Sequence, residues 1–257
     1  MMRALYVFVK KEWKEGLRSG KLIILTAVFV FIGVLNPATA KLIPWMFEVM
    51  ADSFKEIGMT TSSVTINAMT SWTQFFKNIP MALIAFLLMF SNSFAKEYQS
   101  GTLILVLTKG LPRRVIVLAK SIFMFLLWSV GYWGCFGITY AYNDYFWDNS
   151  IANNLFFAAA IWYLFGLFIN CLSVLFSVIN NNSGLNLLEI GLCVVVGYVL
   201  KLIPVSKKFS VLTLTDTATL LTGTTQPDEY MGAIVISLVV GLVCIGIGVV
   251  CMNNKQL

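Results

Sequence analysis

The chain has 257 residues, of which 58% are hydrophobic and 12% are charged, and its mean hydropathy is +0.82. A soluble domain carries about twice that charged fraction, so a water-soluble globule is excluded. The chain has no histidine, which removes the usual general base and the usual zinc and haem ligand.

Residues 1–20 are basic and amphipathic, without the apolar core and small-residue cleavage site of a signal peptide. Leu5, Val9, Trp13 and Leu17 recur at every fourth position, with Lys10, Lys11, Lys14, Glu15 and Arg18 beside or behind them. That spacing predicts a helix lying in the membrane interface, its cations on anionic headgroups. Apolar runs then predict membrane-spanning helices over about 21–47, 79–96, 121–142, 155–179, 185–203 and 231–252. Each run approaches the roughly 20 residues needed to cross a hydrocarbon core. None alternates as a barrel strand does. The fold class is therefore an all-α integral membrane protein, one transmembrane domain of six helices over 1–257. Asn36-Pro37 and Pro44 are expected to interrupt the far end of the first span.

Orientation follows from charge. One side collects twelve basic residues, from Arg3 and Lys10 to Lys120 and Lys255, against the three acids Glu12, Glu15 and Glu97. The other side holds six basic residues against eight acids. Basic residues stay inside, so both termini are expected in the cytoplasm. The high pI then reflects topology, and no folded basic face is offered to nucleic acid.

Chemistry-bearing motifs are missing. Cys135, Cys171, Cys193, Cys244 and Cys251 all fall within apolar runs, with no metal-ligand spacing, and read as small packing residues. No phosphate-binding loop of the form G-x-x-x-x-G-K-[ST] and no nucleophile elbow appears. Glu189 is the one acid inside a predicted span. It reads either as a carboxylate reaching Asn180, Asn181, Asn182 and Asn186 or headgroup water, or as an ion pair or gating contact within the bundle.

The segment between the second and third spans, Ala95–Ser121, carries the apolar run Leu103–Leu107, too short to cross a bilayer. A short helix is expected there, then a break at Gly110–Pro112, with Arg113 and Arg114 opening the next helix. It fits docking on a partner protein, or an extension lying on the membrane. On the opposite side, Trp45–Met59 and the stretch from Ile66 to Phe76 have amphipathic spacing that suits helices resting on the outer leaflet or capping the bundle. The threonine-rich Leu212–Thr225 reads as a re-entrant element or an exposed loop.

Taken together, these features resemble the permease subunits of ABC transporters of the type-2 exporter class. The resemblance rests on Lys10-Lys11-Glu12 followed by Leu17, Arg18 and Ser19, with Trp13 and Lys14 in the same helix. It rests further on the proline-bracketed Asn36–Pro44, on Ser71–Asn78, and on Glu97, Gly101, Thr102, Leu103, Thr108, Lys109, Arg113, Arg114 and Lys120. It implies a cytoplasmic coupling helix after the second span, where Glu97, Gly101, Thr102, Leu103, Lys109, Arg113 and Arg114 would engage a separate ATPase. It implies that ATP and magnesium are bound by that partner, with no cofactor on this chain. It also implies that two permease chains pair, here as a homodimer, in the plasma membrane. The uncharged turn Asn180–Gly184 departs from the pattern, so any second ATPase contact there would use asparagines and backbone. Small permeases of this kind resemble exporters of amphipathic peptides, including the phenol-soluble modulin exporters. Export of lipid, drug or ion, a non-transport membrane anchor, and a membrane enzyme using Glu189 stay open as alternatives. Within the coupling segment, Glu97 is expected to pair with Lys14 or Arg18 of the interfacial helix.

Overall fold

A computed structural model of the protein describes residues 2–56, 67–91, 97, 108, 110, 112–180, 182–203 and 207–255. Among these, every regular element is helical. The long helices are α1 (Met2–Arg18), α2 (Lys21–Glu56), α3 (Ala68–Phe90), α4 (Arg113–Phe146), α5 (Leu155–Ile179) and α6 (Ser183–Leu202). A short α7 (Ala218–Leu221) and a last long helix, α8 (Met231–Asn254), complete the chain. Helices α2 to α6 and α8 are the six long and apolar enough to cross a membrane, so the protein is a multi-pass membrane protein. Four spans keep their expected bounds within a few residues or extend them, and α5 matches to the residue.

Helix α1 ends where Ser19 N–H donates to Glu15 O at 2.9 Å and Gly20 takes a left-handed φ of 72°. A residue with a side chain would be strained there, so glycine makes the sharp turn into the first span. The elbow is tight. A Cβ on Gly16 would lie 3.0 Å from Leu22 Cγ.

The prolines do not interrupt the spans as expected. Pro37 and Pro44 lie inside α2, and Pro80 lies inside α3. Proline at position 37 denies the Gly33 carbonyl its helical partner. Thr139 of α4 supplies one instead, its hydroxyl donating to Gly33 O at 2.9 Å. Asn36 Nδ2 donates to Thr139 Oγ1 at 3.2 Å, and Asn78 Nδ2 of α3 donates to Asn36 Oδ1 at 2.9 Å. This polar knot ties three helices together, as unpaired backbone in hydrocarbon requires.

Helix α3 begins at Ala68, eleven residues before the expected span at 79. The stretch read as a surface helix is instead core. Trp72 and Phe75 are fully buried, in an aromatic stack with Phe136 and Tyr132 of α4. Three buried aromatic side chains find partners for their polar atoms. Trp72 Nε1 donates to Asn149 Oδ1 at 3.0 Å, Tyr132 hydroxyl to Ala159 O at 2.8 Å, and Trp128 Nε1 to Tyr163 O at 3.2 Å. Asn67 starts α3 by accepting from Thr70 N–H at 3.3 Å.

Trp45–Glu56 is not a separate outer helix but the continuation of α2, whereas 57–66 lie outside the described residues. The threonine-rich segment is folded, with its leucines buried while Thr219, Thr222 and Thr224 stay exposed. Val211–Thr215 forms a 3-10 turn and Ala218–Leu221 forms α7, burying Leu212, Leu214, Leu220 and Leu221. Tyr230 hydroxyl pins this cap by donating to Asp216 O at 2.6 Å. Burial is uneven across the bundle: 61% of the apolar stretch of α4 is buried, against 11% of that of α6.

Candidate functional site

The buried stripe of α1 is Phe8, Glu12 and Gly16, not the apolar row Leu5, Val9, Trp13 and Leu17. These three recur every fourth residue; Glu12 faces α4 and Gly16 packs on Leu22 of α2. A carboxylate on the inward face must be neutralised, because burying one charge without a partner costs several kcal/mol. Lys120, about two turns into α4, supplies the charge: it is 1% exposed, and its Nζ lies 3.2 Å from both Glu12 carboxylate oxygens. The same Nζ lies 3.2 Å from Glu97 Oε2. Lys11 closes the ring, hydrogen-bonded to Glu97 Oε1 and lying 3.3 Å from Glu12 and 3.5 Å from Glu15.

Two ammonium groups, two buried carboxylates and the exposed Glu15 thus join α1, Glu97 and the start of α4 in one charge cluster. Burial drives the Glu97 carboxyl upward, but Lys120 and Lys11 beside it reverse the sign and hold it below its ordinary value. For Lys11, burial pulls the other way too, yet the bond to Glu97 and the charges of Glu12 and Glu15 raise it above the ordinary lysine value. Glu12, Glu15 and Glu97 bring their oxygens within 4.8 Å of one another, a spacing that suits a divalent cation. Two ammonium groups, of Lys11 and Lys120, already lie among these oxygens.

The partner of Glu97 is therefore Lys11, with Lys120, rather than the expected Lys14 or Arg18. Helical phase is the reason. Lys11 stands about 100° from buried Glu12, while Lys14 lies about 160° away on the outer side. Lys10, Lys14 and Arg18 are exposed, and Trp13 leans its ring edge on Phe123 at 6.2 Å between centroids. Gly101, Thr102, Leu103 and Lys109, and with them the expected coupling helix, lie outside the described residues. At the expected break, Gly110 has a left-handed φ of 82° and Pro112 opens α4. Arg114 is exposed. Glu189 is half-buried and accepts from Asn180 Nδ2 at 2.6 Å, so the reading as a carboxylate held by neighbouring asparagines is the one the geometry favours.

Cations also meet helix ends on this side of the bundle. Arg113 Nη1 donates to Met252 O at 3.2 Å, Asn253 O at 3.0 Å and Lys255 O at 2.5 Å. Lys255 Nζ donates to Val178 O at 2.7 Å, and Lys21 Nζ to Met89 O at 3.0 Å. The carboxyl ends of α8, α5 and α3 are each satisfied by a positive charge, where the helix dipole is negative.

Above this layer, a groove of about 590 Å³ opens between α3, α5 and α6. Phe76, Leu83, Trp162, Ile190 and Tyr198 line it, and Thr215 closes its far end. Its α3 wall leads down towards Glu97. Sequence reasoning singled out Glu97 and Lys120 but missed the buried role of Glu12 and Lys120, which only a long-range pairing reveals.

A six-helix bundle with a buried charge cluster where α1 meets Glu97 and α4 defines a multi-pass membrane protein. Residues 6–255 match the family model described as ABC-2 family transporter protein, and the chain belongs to that family. It is also 25% identical, over 215 residues covering 81% of each chain, to the uncharacterized transmembrane protein YxlG of Bacillus subtilis (strain 168).

Proposed function

We propose that this chain is the membrane-spanning permease of an ATP-driven exporter, working in the cell membrane with both termini in the cytoplasm. A separate ATPase subunit binds and hydrolyses ATP with magnesium. This chain binds no cofactor and is not itself an enzyme. Two copies pair, and each contributes the apolar groove beside α3 and α6 to one pathway. One copy leaves α6 largely bare, and ligand sites favour interfaces between such units. The substrate is an amphipathic or hydrophobic peptide, moved outward, for which an uncharged groove lined by aromatic and aliphatic side chains is suited.

The observation that carries this reading is the cluster of Glu12, Glu97, Lys11 and Lys120. It makes α1, the post-α3 segment and α4 one mechanical unit, so a force applied at the segment reaches two spans. The ATPase docks on 97–109. Two variants test this: Gly101→Trp and Glu97→Lys, each co-expressed with an ABC ATPase that co-purifies with the wild-type chain. Gly101→Trp is expected to keep assembly but uncouple ATP hydrolysis from export in liposomes. Glu97→Lys is expected to weaken co-purification, with Lys11→Glu restoring part of it. Full transport and normal assembly in both single variants would place the coupling element elsewhere.

A further inference from the structure

A second groove, of about 660 Å³, opens on the opposite flank between α2 and α4. Trp13 and Leu17 of α1 form its mouth, Phe29 and Val30 lie at its far end, and Gly134 and Ile138 form part of its floor. Its α2 wall runs from Leu22 to Val30 and its α4 wall from Leu127 to Ile138. At a rise of about 1.5 Å per residue these walls are about 12 and 16 Å long. Half of a hydrocarbon core is about 15 Å, so each wall is about as long as one leaflet is deep.

Its mouth carries charge. Lys10, Lys14 and Arg18 are exposed at successive fourth positions, and Arg3 falls on the same stripe. Among the described residues none of these four is paired with a carboxylate. Lys11, the neighbour that is paired, is taken by Glu97. The stripe adjoins Trp13 and Leu17, so cations border an apolar slot one leaflet deep.

We propose that this groove seats one acyl chain of an anionic phospholipid from the cytoplasmic leaflet, with its phosphate held by Lys10, Lys14 and Arg18. Leaflet depth selects a lipid tail over a longer occupant, and the unpaired cations select an anionic headgroup over a zwitterionic one. The other edge of α1 carries Glu12 and Lys11. A lipid seated here therefore presses the interfacial helix onto the charge cluster and makes coupling depend on anionic lipid. The leaflet assignment rests on the orientation proposed above, but the binding itself does not.

The test uses the purified full chain in detergent, titrated with phosphatidylglycerol or phosphatidylcholine and read by native mass spectrometry, which senses neither orientation nor an ATPase. Gly134 suits a blocking variant, because a Cβ there meets nothing within 4 Å and leucine is a better helix former than glycine. Wild type is expected to retain one phosphatidylglycerol per chain. Gly134→Leu should weaken that binding about tenfold by filling the slot. Neutralising Lys10, Lys14 and Arg18 together to glutamine should weaken it about a hundredfold, at about fivefold per cation. Gly191→Leu, which fills the other groove from an equally open position, should leave it unchanged. Equal retention of phosphatidylcholine, unweakened binding in Gly134→Leu, or an equal loss in Gly191→Leu would each overturn the proposal.

Discussion

Replacing Glu97 by glutamine removes one of the two buried carboxylates that face Lys120, whose side chain is 2% exposed. At 3.2 Å the pair interacts by about 5 kcal/mol at an effective dielectric of 20, before the opposing cost of desolvation. Removing one member of a buried pair costs about 3–5 kcal/mol, because the remaining charge is stranded. Lys120 keeps Glu12, so the expected loss is at the low end, about 3 kcal/mol. Lys120→Met removes the buried cation shared by Glu12 and Glu97, leaving both to the half-exposed Lys11, and should cost more. The double variant removes one charge of each sign and should recover much of the loss, giving a coupling of about 2 kcal/mol in a double-mutant cycle. The assay is equilibrium unfolding in mixed detergent micelles, followed by Trp13 fluorescence against that of a Trp13→Phe control. Costs that simply add, with coupling under about 0.5 kcal/mol, would show that the four residues do not act as a unit. The pH dependence has a fixed sign. The folded pKa of Glu97 is lowered, so its contribution is present above the unfolded carboxylate value of about 4.3 and lost as pH falls through the folded value. The folded pKa of Lys11 is raised, so its contribution is present below about 10.4 and lost only as pH rises beyond it. Helix α1 should therefore stay attached from about pH 5 to pH 10 and loosen below about pH 4.

Thr139→Val strands the Gly33 carbonyl and is expected to cost about 1 kcal/mol. Combining it with Pro37→Ala, which returns a helical N–H to that carbonyl, should cancel part of the cost in the same unfolding assay. Gly166→Ala places a Cβ 2.2 Å from Trp128 Cζ2, so it should destabilise by about 1–3 kcal/mol, with Trp128→Leu relieving the overlap. In a background with the five cysteines replaced, Asp148→Cys and Asp228→Cys should react with an impermeant maleimide from outside, and Asn182→Cys only after lysis. Labelling of the Asp148→Cys variant only after lysis would refute the six-span arrangement.

Long apolar runs between polar brackets were fully legible: Asn154 and Asn180 bound α5 on both sides. The starts of α3 and α4 were harder to place. Prolines and charges mark helix ends in water, whereas in a bundle neighbouring groups stand in for the missing partners. Pro80 therefore hid the continuity of α3, and Lys120 hid the first two turns of α4. The buried face of α1 was misread for a related reason. Local periodicity favoured Leu5, Val9, Trp13 and Leu17, yet Glu12 faces inward because Lys120, 108 residues away, waits for it. No local pattern encodes that pairing. At Glu97 the sequence pointed to Lys14 or Arg18, whereas the partner is set by the phase of a helix 86 residues earlier, which presents Lys11.

The charge asymmetry read from the sequence also holds one edge of the bundle together. Helices α3, α5 and α8 end on that side, and each ends with carbonyls that hydrocarbon cannot satisfy. Lys21, Lys255 and Arg113 meet them, each reaching from a different part of the chain. Lys11 and Lys120 neutralise the buried carboxylates, and the stripe from Arg3 to Arg18 stays exposed to the headgroups. Basic residues on this face therefore serve three needs that differ in depth: helix ends, buried acids and the membrane surface. Only the last is satisfied by charge count alone. An inverted chain would lose the headgroup contact and keep the other two. The cluster is thus a property of the fold, and under the proposed orientation the exposed stripe is the part that meets the membrane surface.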